Sequence, residues 1–321
     1  MADYKAIHGK NIQHVASDLD STEAEGQIWF NTTTSDYKTI VKSAGAWATG
    51  GTLNLGRTEV TGTGTQTAGL IAGGNTGSVS VKAEEYDGIS WTEGGDINTA
   101  RKQFAASGIQ TSALFFGGTP PSSGLDVVES YNGSTWTETT EINTARRALS
   151  GAGASSTSAL AFAGYITANS ALAESYNGSA WTEVGDLNTA RRAADGGGTA
   201  TSALMTGGYG TADTAVVEAY NGTSWTEVGD LNAAGAGTGA GITDSTSGIV
   251  FGGDRPGTGA LTESWDGSSW TELANMATAR AYLAGAGTNT SGLASGGNAP
   301  PASNATEEWD VSASIETVAF D

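Results

Sequence analysis

Apolar and polar residues alternate along Val127–Arg146, a pattern that predicts two short strands joined by a tight turn. Asn132-Gly133 lies between them, and both residues tolerate positive φ, so we predict a β-hairpin with a two-residue type I′ turn. In that register Glu129 lies opposite Trp136. Both residues then share one face with Tyr131, where a diagonal pair of aromatic rings stabilises the hairpin.

The same hairpin pattern recurs along the chain, so each recurrence marks one unit of a repeat. A glutamate precedes the first aromatic residue by two positions, the aromatics are five apart, and an arginine usually follows ten residues after the tryptophan. The aromatic pairs are Tyr86 and Trp91, Tyr131 and Trp136, Tyr176 and Trp181, Tyr220 and Trp225, and Trp265 and Trp270. The glutamates are Glu84, Glu129, Glu174, Glu218, Glu263 and Glu307. The arginines are Arg57, Arg101, Arg146, Arg191 and Arg280, and Gly235 interrupts their series.

Each unit also contains an apolar stretch that ends in a pair of small residues. The pairs are Gly73-Gly74, Gly117-Gly118, Ala163-Gly164, Gly207-Gly208, Gly252-Gly253 and Gly296-Gly297. Six units fit between Arg57 and the C-terminus, and their spacing of 44 to 46 residues suits four short strands with their turns. We therefore predict an all-β fold, a closed β-propeller of six four-stranded blades whose Gly- and Ala-rich first strands surround a central channel.

The third unit illustrates the predicted order of strands within a blade. We expect the glycine pair that ends each second strand to adopt positive φ or to let a neighbouring backbone approach closely. From the innermost strand outwards, we place the strands of this unit at residues 147–153, 158–163, 172–176 and 179–184.

The chain before the repeat differs in character. Residues 1 to about 25 have no clear periodicity and are interpreted as an arm, while GQIWFNTTTSDYKTIVKSAGAWATGG predicts two or three short strands. Trp47 already occupies the repeat position of the tryptophans. We accordingly divide the chain into an N-terminal arm with short strands, residues 1–45, and a propeller, residues 46–321.

The order apolar-Gly-Gly, Glu-x-Tyr, Trp and Arg resembles the kelch repeat of β-propellers over residues 47 to 310. The resemblance implies a ring closed by one blade that takes strands from both ends of the chain. Two segments could supply the closing strand, the one around Trp47 and the C-terminal IETVAF. GQIWFN could add a seventh, partial blade.

The opening of the chain, above all AEGQIWFNTTTSDYK, resembles the N-terminal modules of tail and other virion proteins of marine tailed phages. Kelch-like arrays rich in Gly, Ala, Ser and Thr also resemble proteins of those phages. The resemblance implies a structural protein located in the virion, as a tail fibre, a tail-tip appendage or a capsid decoration. It further implies that residues 1–45 attach to other virion proteins and that several copies share one particle.

Composition narrows the set of partners. The formal net charge of −20 disfavours nucleic acid and anionic membranes, both of which bind clusters of Lys and Arg. The absence of cysteine excludes a disulfide framework and a thiolate site. The N-terminus is too polar for a signal peptide, and no stretch approaches the roughly 18 apolar residues of a membrane span. We expect a soluble protein without membrane insertion.

The residue pattern does not predict an enzyme, a cofactor or a metal site. Arginine and glutamate repeated at every blade favour ion pairs at the blade junctions, and regular Tyr and Trp favour blade packing over a sugar-binding platform. His8 and His14 are the two histidines, and a metal site would need carboxylates to complete it. A galactose-oxidase type of site needs a cysteine, and Ser264-Trp265-Asp266-Gly267 departs from the Asp box of sialidases. The alternatives are a carbohydrate-processing propeller enzyme, an intracellular kelch adaptor, and a capsid decoration protein with no receptor role.

The loops that follow the glycine pairs differ most between units, so we expect recognition of a host-surface glycan or protein to occur there. Pro120-Pro121 and Pro300-Pro301 stiffen two of these loops and lower the ordering cost of binding. The candidate contacts are Tyr165, Tyr209, Asp254, Arg255 and Asn298. Three cations that directly follow repeat arginines are expected to be solvated: Lys102, Arg147 and Arg192.

Overall fold

The structure is a computed structural model that describes residues 12–19, 27–120, 123–255 and 259–318. The regular elements of these residues are β-strands, and none of the described segments forms a helix able to cross a membrane. The chain divides into two compact units, residues 1–45 with 311–321, and residues 46–310. Residues 311–321, which the sequence places in the propeller, therefore lie in the first unit.

The first unit contains one four-stranded sheet in the order β1-β2-β3-β28. Its strands are β1 (Gln13–Val15), β2 (Ile28–Asn31), β3 (Asp36–Lys42) and β28 (Ala313–Thr317). β1 runs parallel to β2, and the other two pairings are antiparallel. GQIWFN contributes β2 to this sheet, so it does not form a seventh blade. His14 packs against Phe30 with ring centroids 5.2 Å apart, whereas His8 lies outside the described residues.

The second unit is a closed β-propeller of six four-stranded antiparallel blades, which confirms the predicted fold. Blades 1 to 5 each take four consecutive strands from β5 to β24, and blade 6 consists of β25, β26, β27 and β4. The strands are β4 (Ala46–Thr49), β5 (Thr61–Thr65), β6 (Ala68–Ala72), β7 (Ala83–Tyr86), β8 (Trp91–Glu93), β9 (Ala105–Ile109), β10 (Ser112–Phe116), β11 (Val128–Tyr131), β12 (Trp136–Thr139), β13 (Ser150–Ser155), β14 (Ser158–Phe162), β15 (Ala173–Tyr176), β16 (Trp181–Glu183), β17 (Asp195–Thr199), β18 (Ser202–Thr206), β19 (Val217–Tyr220), β20 (Trp225–Glu227), β21 (Gly239–Asp244), β22 (Ser247–Phe251), β23 (Thr262–Trp265), β24 (Trp270–Glu272), β25 (Ala284–Thr288), β26 (Ser291–Ser295) and β27 (Thr306–Asp310).

The ring is closed by β4, the strand that carries Trp47. It pairs antiparallel with β27, and Trp47 lies opposite Trp309 with ring centroids 5.6 Å apart. The Trp47 indole N–H also donates to Thr262 Oγ1 of blade 5 at 3.0 Å. Residues 315–317 of IETVAF belong to β28 in the first unit instead. Joining the two ends of the repeat in one blade removes the open sheet edges that a linear array would expose.

The outer hairpins differ from the predicted turn. Tyr131 lies directly opposite Trp136, with ring centroids 4.7 Å apart, so the loop between them has four residues and the pair is not diagonal. The Asn132 side-chain oxygen accepts the main-chain N–H groups of Ser134 and Thr135 at 3.0 and 2.9 Å. Asparagine thereby builds the turn with its side chain, and positive φ is needed only at Gly133. The predicted face is confirmed, because Glu129, Tyr131 and Trp136 are all buried.

The blades pack through aromatic side chains that reach the neighbouring blade. Trp181 of blade 3 contacts Phe116 of blade 2 with ring centroids 5.3 Å apart, and other blades repeat this arrangement. The first strand of blade 3 begins at Ser150, three residues later than predicted, because Arg147 forms an isolated bridge to Tyr165 before the strand starts. The two residues of each glycine pair have positive φ, as expected.

Candidate functional site

Every blade junction contains a buried ion pair. Arg101 Nη2 lies 3.1 Å from Glu129 Oε1, and the main-chain carbonyl of Arg101 accepts the N–H of Gly74 from the preceding blade at 3.0 Å. One arginine thus connects two blades. Asn98 adds two donors to the same carboxylate, at 2.7 and 2.9 Å. The equivalent pairs are Arg57 with Glu84, Arg146 with Glu174, Arg191 with Glu218, and Arg280 with Glu307. These contacts confirm that the repeat arginines belong to the scaffold.

Blade 5 lacks the repeat arginine at Gly235, and Arg255 supplies the missing cation. Its Nη1 lies 2.9 Å from Glu263 Oε1, and both side chains are buried. A Cβ at Gly235 would lie 2.4 Å from the Cγ of Arg255, so the Arg255 side chain occupies the space of the absent one. This corrects the prediction that Arg255 contacts a ligand. A buried cation that is already paired with a carboxylate is not accessible for recognition.

The channel opens at one end within a ring of main-chain hydrogen bonds to which each blade contributes one residue. Each N–H donates to the carbonyl of the ring residue in the preceding blade, over distances of 2.6 to 3.1 Å. The members are Glu59, Gln103, Ala148, Ala193, Gly237 and Tyr282, with φ between 49° and 61°. Left-handed backbone is costly for residues other than glycine, and the closed hydrogen-bonded ring stabilises it. We call this structure the mouth ring.

The mouth ring borders a cavity of about 120 Å³. Small residues at the start of the first strands form most of its wall, and the longer polar side chains there are Glu59, Gln103, Asp195 and Tyr282. A second cavity of about 100 Å³ follows along the channel, lined mainly by Gly, Ala, Ser and Thr. This confirms the predicted crowding of small residues around the channel.

The wall of the first cavity contains two acidic residues, Glu59 and Asp195, and Asp195 is the one that has no cationic partner among the described residues. It begins β17, and its Oδ1 accepts the main-chain N–H of Gly196 at 2.8 Å. Burial raises the pKa of Asp195 to about 7, although hydrogen bonds from main-chain N–H groups oppose the change. At neutral pH this carboxyl group can therefore donate or accept a hydrogen bond to a molecule in the cavity.

Charged side chains flank the mouth ring on two sides. Lys102 Nζ and Gln103 Nε2 both donate to the Glu59 carboxylate, which leaves that carboxylate neutralised. Next to Glu59 in the ring, burial raises the pKa of Tyr282, and the negative charge of Asp254 raises it further. Burial also raises the pKa of Asp213, again with a contribution from Asp254. The mouth therefore has one neutralised sector and one acidic sector.

A third sector consists of alternating arginine and tyrosine side chains. The Arg147 guanidinium carbon lies 5.0 Å from the Tyr165 ring centroid, and that of Arg192 lies 5.0 Å from Tyr165 and 4.7 Å from Tyr209. We call these four residues the Arg–Tyr stack. Cation–π contacts of this length orient the guanidinium over the ring. The prediction that Arg147 and Arg192 are merely solvated is corrected, as it is for Lys102, which is paired with Glu59.

The main chain places the Arg–Tyr stack beside the mouth ring. Arg147 bridges to Tyr165 and Arg192 to Tyr209 as isolated antiparallel pairs, each just before a ring residue, Ala148 or Ala193. Arg192 Nη1 donates to Asn169 Oδ1 at 2.7 Å, which fixes the guanidinium between the two tyrosine rings.

The other predicted contacts lie at the starts of their own loops. Asp254 and Asn298 are exposed and bridge through the main chain to Ala236 and Ala281. The structure joins Tyr165 and Tyr209 through Arg192, and it places Asp254 in the acidic sector near Tyr282. No side-chain contact links Asn298 to the other candidates among the described residues. Pro121 lies outside the described residues.

Sequence reasoning missed Arg147, Arg192 and Asp195 as members of the site. One signal was available for the arginines. The doublets Arg146-Arg147 and Arg191-Arg192 occur in the two units whose glycine pairs are followed directly by tyrosine. Nothing comparable marks Asp195, since its exposure to the cavity depends on how six first strands surround the channel.

The described residues contain no group of three or more His, Cys, Asp and Glu side chains that could hold a metal ion. Fold and site together define a six-bladed β-propeller with a polar cavity at one end of its channel. A solved structure described as YjhT has the same kind of fold, with a TM-score of 0.66 and 14% sequence identity, covering 83% of this chain and 99% of that one. At this identity the likeness shows the fold alone. No protein-family model and no curated protein sequence matches the chain.

Proposed function

We propose that the protein is a non-enzymatic structural component of a tailed-phage virion, with the propeller displayed for recognition of the host surface. Residues 1–45 attach to other virion proteins, and several copies are present on each particle. The resemblance of AEGQIWFNTTTSDYK to phage virion modules supports this assignment. The division of the chain into two compact units, one of which contains that motif, is consistent with separate attachment and display.

The contrast between the blade junctions and the channel mouth is the observation that carries the binding role. Each junction has the same arginine–glutamate pair, whereas the mouth ring contains an acid, an amide, a phenol and three small residues. Repeats that keep their packing residues and differ on one face are typical of a scaffold that presents a recognition surface. We infer that this face, with the cavity and the Arg–Tyr stack, is where a ligand binds.

A carbohydrate-processing enzyme is the second candidate function, and Asp195 is the observation that favours it. A carboxyl group with a pKa of about 7 is suited to general acid–base catalysis at neutral pH. Glycoside hydrolysis usually requires a second free carboxyl group. The other acidic residue of the cavity wall, Glu59, is paired with Lys102 and Gln103. The geometry therefore supports binding better than hydrolysis.

The test begins with mass spectrometry of purified particles, which we expect to contain the protein in stoichiometric amounts. Its absence from particles would contradict the virion assignment. Deletion of residues 1–25 should leave the propeller folded and abolish incorporation into particles. Normal incorporation of that variant would show that residues 1–25 do not provide the attachment.

An adsorption experiment distinguishes a protein that binds the host receptor from one that only decorates the capsid. Purified full-length protein should compete with particles for binding to host cells and slow adsorption. If particles contain the protein but adsorption is unchanged by competition, the protein is a decoration with no receptor role. Release of reducing sugars from host polysaccharide by the wild type, with loss of this activity in Asp195→Asn, would favour the enzyme instead.

A further inference from the structure

Two arginines in this acidic protein have no carboxylate partner among the described residues. The chain has eight arginines and 34 acidic residues. Six of the arginines form buried ion pairs with the repeat glutamates. Arg147 and Arg192 form no ion pair with any described residue, and both are half-buried at the channel mouth. Cations held close together without a counter-ion repel one another, so their position requires another explanation.

The Arg–Tyr stack holds these two cations in place without neutralising them. Tyr165 lies between the guanidinium groups, with both guanidinium carbons 5.0 Å from its ring centroid. Tyr209 and Asn169 restrain Arg192 further. Aromatic rings cover the flat face of a guanidinium, whereas its N–H donors point outward in the guanidinium plane. Arg147 makes no side-chain hydrogen bond to a described residue, so its donors remain available.

We propose that the Arg–Tyr stack binds the carboxylate of an acidic sugar residue whose ring partly enters the cavity at the channel mouth. The inference rests on the proposed function, because it names the chemical class of the host-surface ligand. Planar, paired N–H donors match a carboxylate, which accepts two parallel hydrogen bonds from one guanidinium. Two such groups in one sector of the mouth favour a ligand that carries negative charge at this point.

The surroundings limit the charge of the ligand. The acidic sector, with Asp213 and Asp254, and the wall residue Asp195 lie at the same mouth, and the chain has a net charge of −20. A polyanion would meet these carboxylates and be repelled. One carboxylate on an otherwise neutral, hydroxylated ring avoids that repulsion, because the neighbouring acidic side chains can accept hydrogen bonds from its hydroxyl groups.

The cavity has a polarity suited to part of a sugar ring. Its volume of about 120 Å³ is below the roughly 150 Å³ that holds a benzene molecule in an engineered cavity, so only part of the ring enters and the remainder lies at the open mouth. Asp195 and Gln103 contribute polar atoms to the wall. Sugar recognition generally combines such hydrogen-bonding groups with aromatic surface, which Tyr282 supplies at the rim.

The experiment measures binding of D-glucuronate to the purified full-length protein by saturation-transfer NMR and isothermal titration. D-glucose is the neutral control, and D-glucose 6-sulfate tests whether a sulfate ester is the preferred anion. We expect saturable binding of glucuronate and binding of glucose that is at least about tenfold weaker, since glucose lacks the carboxylate that accepts charge-assisted hydrogen bonds. Absence of glucuronate binding, or tighter binding of the sulfate ester, overturns the proposal.

Variants locate the binding site. Arg147→Gln and Arg192→Gln should each weaken glucuronate binding about tenfold or more, and Arg192→Lys should not restore it, because lysine lacks the planar fork. Lys82→Gln removes one positive charge from an exposed pair with Asp96 and is the matched control, for which we expect unchanged binding. Equal weakening in Lys82→Gln would indicate a non-specific charge effect and overturn the assignment. Thermal melting followed by tryptophan fluorescence verifies that each variant is folded.

Failure of this inference can be distinguished from failure of the proposed function. Binding is measured on the isolated protein, so glucuronate can bind even if mass spectrometry finds no protein in particles. Conversely, competition for adsorption without glucuronate binding would retain the virion role and remove the acidic-sugar ligand.

Discussion

Two rings surround the channel of the propeller, and different atoms hold them together. The blade junctions add a side-chain ion pair to their main-chain bonds, with an arginine and a glutamate at every position. The mouth ring is built from main-chain N–H and carbonyl groups alone. Side chains can therefore differ from blade to blade at the mouth, whereas a changed side chain at a junction removes the ion pair. This difference explains why one repeat can keep its fold and still vary its surface.

The fifth blade shows what the junction requires. Its arginine comes from position 255, after the second strand, and not from position 235 before the first strand, yet it reaches the equivalent glutamate, Glu263. The junction thus requires a cation at one position in space, whichever residue of the chain supplies it. Substitutions at the two rings test the contrast between them.

Removal of Arg255 should destabilise the protein as much as removal of a repeat arginine. Arg255→Ala leaves the Glu263 carboxylate buried without its cation, so we expect a loss of about 3 to 5 kcal/mol in the free energy of unfolding. Urea titration followed by tryptophan fluorescence measures it. The neighbouring, exposed Asp254→Ala is the matched control, with an expected change of about 0.5 kcal/mol or less. Equal effects of the two substitutions would contradict a structural role for Arg255.

Placing an arginine at position 235, where the repeat has one, should recover most of the free energy of unfolding that Arg255→Ala loses. In Gly235→Arg combined with Arg255→Ala, the new side chain can use the space that Arg255 vacates, and we expect about 3 kcal/mol to be regained relative to Arg255→Ala. Gly235→Arg alone should destabilise, because its Cβ would lie 2.4 Å from the Arg255 Cγ. Additive effects in this double-mutant cycle would show that the two positions do not share one site.

Asp195 makes the stability of the propeller depend on pH. Its folded pKa of about 7 lies above the unfolded value of about 3.9, so its contribution is complete below about pH 4 and is lost as the pH rises through about 7. Asp195→Asn should therefore match the wild type at about pH 4 and exceed it at about pH 8. The full shift corresponds to about 4 kcal/mol, and contact with water in the channel reduces the expected gain to about 2 kcal/mol.

Thermal melting of both proteins across this pH range provides the measurement. Ser150→Ala, which changes the equivalent position of blade 3, is the control for general effects at the channel wall. A constant difference between wild type and Asp195→Asn at all pH values would contradict the raised pKa.

One junction can be improved. At blade 5, Asn232 donates to Glu263 from its main chain and its side chain, at 2.7 and 2.9 Å. At blade 6, Ala277 donates to Glu307 from its main chain alone, at 2.6 Å. Ala277→Asn should add a side-chain hydrogen bond and stabilise the fold by about 1 kcal/mol. Ala279→Asn, at an exposed position two residues further along, is the matched control and should not stabilise the fold in the same melting experiment.

The smallest effects on stability are expected at the Arg–Tyr stack. Arg147→Gln and Tyr165→Phe should each change the free energy of unfolding by about 0.5 kcal/mol or less, because both side chains are half-buried and the mouth ring beside them is made by the backbone. Urea titration measures this change. A loss comparable to that of Arg255→Ala would assign the stack to the scaffold and remove the basis for a binding role.

The repeat in the sequence was sufficient to determine the architecture. Alternating apolar residues, glycine pairs and regularly spaced Glu, Tyr, Trp and Arg predicted six four-stranded blades, small residues along the channel and a structural role for the repeat arginines. These features follow from local pattern and repetition, and each blade provides the same evidence again. The sequence did not identify the strand that closes the ring, because the Trp47 segment and IETVAF fit the pattern equally well. The pairing of Trp47 with Trp309 in the structure identified it.

Individual side-chain contacts were decided by the folded structure. One of them is local: Asn132 builds its turn with a side-chain oxygen, and a two-residue turn and a four-residue loop have the same sequence signature. Arg255 appeared to belong to a variable loop because its partner, Glu263, depends on the empty space at Gly235. Arg192 is held by tyrosines from two different blades. Such pairings are set by how blades pack around a channel, and periodicity along one chain carries no information about them.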